Sequence, residues 1–73
     1  MSMYPKADGQ DSGCKVGWLF YKDKATAEKA AEIAEKEGER LADKGYDFGF
    51  QCPGAIRQVK DGQFAGLYCV TIP

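Results

Sequence analysis

The sequence of 73 residues contains no histidine, the commonest general base and the commonest metal ligand in proteins. Its only serines, Ser2 and Ser12, lie near the N-terminus and have no histidine to activate them, which excludes a serine-based triad. Carboxylates are plentiful, but most fall on the outer side of a predicted helix, where no cleft would remove them from water. We therefore expect that the protein is not an enzyme and holds no cofactor.

Cysteine is also sparse. Cys14, Cys52 and Cys69 are far apart in sequence and form no Cys-x-x-Cys motif. An odd number without that motif is weak support for a disulfide framework or a zinc site. We expect three reduced cysteines that act as small, partly buried apolar residues, with one disulfide between two of them as the alternative. The sequence predicts no metal site.

A strong charge of either sign and a long hydrophobic run are missing as well. Ten Lys and Arg residues against eleven Asp and Glu residues leave a formal net charge of −1. This balance disfavours binding to nucleic acid or to an anionic membrane, because both reward a basic surface. No apolar run approaches the ~18 residues of a membrane span, and the N-terminus lacks the apolar stretch of a signal peptide. We therefore expect a cytoplasmic location.

What is present fits one small folded domain. Hydrophobic residues make up 44% of the chain and charged residues 29%, which are ordinary globular values. Residues 1–13 contain only Tyr4 as a sizeable apolar side chain besides the methionines, so we expect a flexible or loosely docked N-terminal arm there. Residues 14–73 are predicted to form a single α+β domain.

A long helix is predicted over about residues 24–44. Asp23 suits the N-cap position, with Thr26 as a later alternative, and Gly45 suits the position just after the helix. At about 100° per residue, the helix gathers small side chains on one stripe. That stripe consists of Ala27, Ala30, Ala31, Ala34, Gly38 and Leu41. A shallow helix surface leaves room for bulky sheet residues, so we expect an aromatic side chain against the bare Cα of Gly38.

The outer surface of this helix separates by charge into two stripes. The acidic stripe contains Glu28, Glu32, Glu35, Glu39 and Asp43, and the basic stripe contains Lys29, Lys36, Arg40 and Lys44. A solvated face with ion pairs one turn apart explains this pattern. A polarised docking surface for a partner is the alternative.

Four segments predict strands, in the order β-α-β-β-β. They are residues 14–22, 46–52, 55–60 and 63–72. The fold class is thus a two-layer α+β domain, with one long helix on one face of a mostly antiparallel four-stranded sheet. Residues 52–55 form a predicted turn with Pro53 and Gly54 at its centre. Asp61 and Gly62 predict a two-residue hairpin turn.

The strand that follows the helix alternates aromatic and polar residues. We expect its aromatic row, together with two aromatic side chains of the first strand, to face the helix. These residues are Tyr46, Phe48, Phe50, Trp18 and Phe20. The two-residue turn would then also point Arg57 inward. A bulge near Gly66 or the opposite facing of the last hairpin would relieve this conflict, and the sequence does not choose between them.

The sheet face away from the helix is the candidate interface. One helix covers only one face of a sheet, so the other face meets water or a partner. The candidate interface residues are Leu19, Tyr21, Gln51, Leu67 and Cys69, accompanied by Gly17 and Gly49. We expect a homodimer through this face, or an unidentified protein partner. The alternative cover is the N-terminal arm with Tyr4 and Pro5.

The leading functional hypothesis is therefore a protein-interaction or structural module that associates with itself. The alternative is single-stranded nucleic-acid binding through sheet aromatics, helped by basic residues at one end of the sheet. Those basic residues are Lys22, Lys24, Arg57 and Lys60.

Overall fold

The computed structural model describes residues 3–13, 15–49 and 51–73. In chain order the elements are β1 (Gly9–Ser12), β2 (Gly17–Tyr21), α1 (Lys24–Asp43), β3 (Ile56–Gln58) and β4 (Tyr68–Ile72). The strands form one antiparallel sheet in the order β1-β2-β4-β3, and α1 packs on one face of it. The predicted fold class, one long helix on a four-stranded sheet, is confirmed.

The helix begins and ends where its capping residues predict. The Asp23 carboxylate accepts a hydrogen bond from the Ala25 N–H at 3.3 Å and another from the Thr26 hydroxyl at 2.9 Å. At the other end, Gly45 has a φ of 94°, which a side chain would strain, and its N–H donates to the Ala42 carbonyl. Asp23 is thus the N-cap, and Thr26 lies inside the helix.

The predicted order of the strands is wrong in two places. β1 lies within the predicted N-terminal arm, where a polar sequence gives no strand signal, and it pairs with β2 as an edge strand. No strand forms over the described residues of 46–52, and Phe50 lies outside them. The Asp47 carboxylate instead accepts the Gly49 N–H at 2.8 Å, and Gly49 has a φ of 67°. This local turn competes with the extended backbone that the aromatic alternation suggested.

The helix packs on the opposite face of β2 from the one predicted. Leu19 and Tyr21 are 9% and 1% exposed and belong to the core cluster under the helix, together with Val70. Because neighbours along a strand point to opposite faces, Trp18 and Phe20 lie on the far side of the sheet. The small-residue stripe of the helix is buried as expected at Ala27, Ala30, Ala31, Ala34 and Gly38.

Two irregular segments flank the helix on the core side of the sheet. On one flank the N-terminal segment is tied down by the Tyr21 hydroxyl, which donates to the Pro5 carbonyl at 2.9 Å, while Tyr4 and Ala7 pack against the core. On the other flank Pro53 lies against Gly38, in the place where an aromatic side chain was expected. The N-terminal segment thus packs on the side of β2 that carries Leu19 and Tyr21, as the alternative above expected, but this side faces the helix and is not the far face of the sheet.

One of the two predicted turns is confirmed. The Ala55 N–H donates to the Cys52 carbonyl at 3.1 Å, and Gly54 has the positive φ, 93°, that a turn of this kind needs. The two-residue hairpin at Asp61 and Gly62 is wrong.

The connection between β3 and β4 is longer than a tight hairpin. The Gly66 N–H donates to the Val59 carbonyl at 2.8 Å, and the Val59 N–H donates to the Leu67 carbonyl at 2.9 Å. In this register Arg57 pairs with Cys69 rather than with Gly66. Because Cys69 lies on the far side of the sheet, Arg57 points away from the core and the conflict in the predicted facing disappears.

Candidate functional site: the open face of the sheet

The sheet face away from α1 is called the open face below. Antiparallel partners project to the same side, so the register defines its members. One row across the sheet contains Gly9, Phe20, Cys69 and Arg57, and the next row contains Asp11, Trp18 and Thr71. No helix of the described residues lies on this face, because the single helix α1 packs on the other.

One end of the open face is capped by the chain itself. The connection between β3 and β4 folds back so that the Phe64 ring stacks on Phe20, with centroids 4.1 Å apart and planes at 12°. Gly9, beside Phe20 in β1, makes room for this ring, since a Cβ there would overlap Phe64. The stack explains why Phe20 is buried although no helix covers it.

Trp18 occupies the other end of the open face. It lies on β2, one of the two inner strands, and it is half-buried. Its ring reaches over Gly13, where a Cβ would approach the indole to 2.7 Å. The indole is thus held against the sheet surface with part of its area in solvent, and no described ring stacks on it as Phe64 stacks on Phe20.

The charges of the open face are few and balanced. Arg57 lies on the edge strand β3, and Asp11 lies on the edge strand β1 at the opposite side. Beyond the Trp18 end, Lys15 pairs with Asp47 at 3.5 Å. The Gly49 N–H and then the Lys15 ammonium lower the pKa of the Asp47 carboxyl. The surface therefore combines aromatic area with opposite charges at its two edges.

Cys69 lies between Phe20 and Arg57 and is 3% exposed. Burial raises the pKa of its thiol, and the adjacent Arg57 guanidinium opposes that rise. Because burial is the larger cause, the thiol stays protonated at neutral pH and is a poor nucleophile. The open face offers apolar contact and two charges rather than a catalytic pair.

Only part of the predicted interface lies on the open face. Cys69 is there, as expected. Leu19 and Tyr21 are buried beneath the helix, because β2 presents its other side to the core. Gln51 lines a groove beside the helix, and Leu67 lies in the connection before β4. Leu19, Tyr21 and Gln51 therefore lie outside the open face.

The residues of the open face that the sequence analysis missed are Trp18, Phe64, Arg57 and Asp11. The usable signal was the apolar alternation of Tyr68, Val70 and Ile72, which marks the core side of β4. These three residues pair with Tyr21, Leu19 and Gly17 of β2, which therefore also face the core. Trp18 lies between Gly17 and Leu19 and so faces the other side.

Two other classes of site are absent from the described residues. Residues 3–13, 15–49 and 51–73 include no helix that combines the length and the apolar character needed to cross a bilayer. The same part of the chain does not bring three or more cysteine or carboxylate side chains together as a metal site would require. Comparison of the chain with protein-family models, with curated proteins and with solved structures found no match.

Proposed function

We propose that the protein is a binding module without catalytic activity, and that its open face pairs with the same face of a second copy. The observation that carries this proposal is Trp18: a partly exposed indole on an inner strand, at the end of the open face away from the Phe64 ring. Tryptophan and arginine are the side chains that contribute most at protein interfaces, and Arg57 lies on the same face.

The charges of the open face favour a second copy as the partner. A two-fold axis that runs parallel to the strands, between two sheets packed face to face, places β1 of one copy over β3 of the other. Asp11 of each copy then lies near Arg57 of the other copy, so the dimer contains two such pairs. They are two positions apart along the strands, about 7 Å, and packed sheets lie about 10 Å apart, so the two side chains together must span about 12 Å between the backbones. The face is thus complementary to itself.

The size of the face sets the strength of this association. Four strands about 4.8 Å apart and five residues long give a surface about 19 Å by about 17 Å. Because β1 and β3 are shorter than five residues, burying this surface on both copies removes at most about 650 Å² from water, which is below the about 1,200 Å² at which standard specific interfaces begin. We therefore expect a weak, transient dimer that forms only at high protein concentration.

A second candidate function is single-stranded nucleic-acid binding, since the Trp18 indole could stack on a base and Arg57 could contact a phosphate. Two features make it the weaker proposal. Phe64 already occupies the ring face of Phe20, and Asp11 balances the charge of Arg57. Titration of Trp18 fluorescence with a mixed-sequence oligonucleotide at low and high salt tests it. A salt-dependent change would favour nucleic acid over the dimer.

The dimer is tested by exchanging its charges. Sedimentation equilibrium is measured for the wild type, for Asp11→Arg, for Arg57→Asp and for the double variant that carries both changes. Each single variant should weaken dimerisation, because like charges then meet at both edges. The double variant should restore it, because the reciprocal pairs are rebuilt with exchanged signs. A double variant as weak as the single ones would contradict this arrangement.

The contribution of Trp18 is tested with a matched aromatic control. Trp18→Ala should shift the protein to a mass of 8.0 kDa at concentrations where the wild type shows twice that mass. Tyr46→Ala removes an aromatic ring that is 48% exposed and lies outside the open face, so it should leave dimerisation unchanged. Circular dichroism checks that both variants keep their helix. A wild type that remains monomeric at every concentration refutes the proposal.

A further inference from the structure

A second surface, on the helix side of the molecule, is an apolar groove. It lies between α1 and a second wall formed by Phe48, Gln51, Cys52 and Pro53, and it has a volume of about 240 Å³. Its apolar lining includes Ala42, Phe48, Cys52 and Pro53. Because α1 and the open face lie on opposite sides of the sheet, this groove is separate from the proposed dimer interface.

The groove is built into the fold. Pro53 rests on the bare Cα of Gly38, where an added Cβ would approach the proline ring to 2.7 Å. Gly54 lies equally close to the helix, since a Cβ there would be 2.9 Å from the Ala31 carbonyl oxygen. These two contacts hold Pro53 and Gly54 against α1, so this part of the groove wall is fixed to the helix. Preformed apolar concavities are the usual form of binding sites in proteins.

The rim of the groove is acidic. Glu35 and Glu39 lie one helical turn apart beside it, and both are exposed. The ion pairs on the helix involve other carboxylates, those of Glu32 with Lys36 and Glu37 with Arg40. Within the described residues the groove is lined by no basic side chain. Its two rim carboxylates are therefore available to a cationic partner.

We infer that this groove binds a cationic segment of a partner protein, with an apolar side chain seated between Ala42, Phe48 and Pro53. Lysine or arginine side chains on either side of that anchor lie beside Glu35 and Glu39. The two carboxylates are about 6 Å apart along the helix, a spacing that two basic residues on one side of a peptide match. The same charges repel nucleic acid and anionic lipid, which leaves a basic peptide as the matching chemistry.

The test uses fluorescence polarisation with a labelled, capped hexapeptide, Lys-Lys-Leu-Leu-Lys-Lys. Two control peptides separate charge from apolar contact: one replaces lysine with glutamate, and the other replaces leucine with alanine. The basic peptide with leucine should bind in the micromolar to millimolar range and lose affinity at high salt. The other two should bind more weakly. Equal binding of the leucine and alanine peptides would overturn the inference, because it would show that the groove is not used.

A matched pair of variants locates the binding. Glu35→Gln with Glu39→Gln removes the rim charges, and the dissociation constant should rise about fivefold, as expected for two exposed ion pairs. Glu28→Gln with Asp61→Asn makes the same change in net charge at two exposed carboxylates that do not line the groove, and it should leave the constant nearly unchanged. Equal effects of the two double variants would refute a site in the groove. Trp18→Ala should not alter peptide binding, because Trp18 lies on the open face and not in the groove. The proposed dimer and the proposed peptide site can therefore be refuted separately.

Discussion

Gly38 provides the sharpest test of how the helix packs. A glycine in the middle of a helix destabilises it by about 1 kcal/mol relative to alanine, so Gly38→Ala would be stabilising at an exposed site. Here the new Cβ would lie 2.7 Å from Cβ and 2.9 Å from Cγ of Pro53, well inside contact distance. Overpacking of this kind costs about 1–3 kcal/mol. We expect the alanine variant to be between equally stable and about 2 kcal/mol less stable.

A double-mutant cycle separates the two effects. Pro53→Gly removes the side chain that the new Cβ would meet, so Gly38→Ala in that background should recover its helix-forming gain of about 1 kcal/mol. Free energies of unfolding for the four proteins are measured by urea denaturation, with circular dichroism following the helix. The predicted coupling is about 1–3 kcal/mol. If Gly38→Ala stabilises the wild type as much as it stabilises the Pro53→Gly variant, the close contact does not exist.

Three further predictions concern the core and the cysteines. Leu19→Ala should lower the free energy of unfolding by about 2–4 kcal/mol, because the side chain is buried beneath the helix. Urea denaturation measures this change, and a loss near zero would show that Leu19 does not face the helix. Tyr21→Phe should lower the free energy of unfolding by about 1 kcal/mol, because the substitution removes the hydroxyl that anchors the N-terminal segment. The backbone amides of that segment should then exchange their hydrogens faster. A thiol reagent followed by mass spectrometry should label exposed Cys52 much faster than Cys69, whose burial both blocks access and raises the pKa of the thiol. Equal labelling rates in the folded protein would contradict the burial of Cys69.

The helix and one turn could be predicted because their signals are local. Asp23 and Gly45 act on the few backbone groups next to them, and those residues are adjacent in sequence. The turn at Pro53 and Gly54 depends in the same way on two backbone angles. The fold class followed, because one long amphipathic helix and several short strands leave few arrangements for a chain of this size.

The facing of the strands could not be predicted, because it depends on contacts between distant residues. β2 is apolar on both faces, so its own pattern does not determine whether Trp18 or Leu19 meets the helix. The choice follows from the pairing of Leu19 with Val70, a contact across about 50 residues of chain. The connection after β3 also depends on a distant residue, since Phe64 reaches back to stack on Phe20.

The candidate site was partly predictable for the same reason. An uncovered sheet face follows from the single helix, and that expectation needs no register. The identity of its residues needs the facing of β2 and the register of β4, and three of the five candidates, Leu19, Tyr21 and Gln51, lie elsewhere in the structure. The groove beside the helix depends on the turn at residues 46–49. The alternating aromatic pattern there predicted a strand instead of a turn.

The central claim is that two copies of the chain meet through their open faces. An isotope-filtered NOE experiment on a mixture of labelled and unlabelled protein, above the dimerisation concentration, measures contacts between copies alone. We predict intermolecular NOEs from the Trp18 indole to the partner's open face, and further ones that join the Asp11 edge to the Arg57 edge. A spectrum without intermolecular NOEs, or one whose NOEs arise from the charged surface of the helix, would contradict the claim.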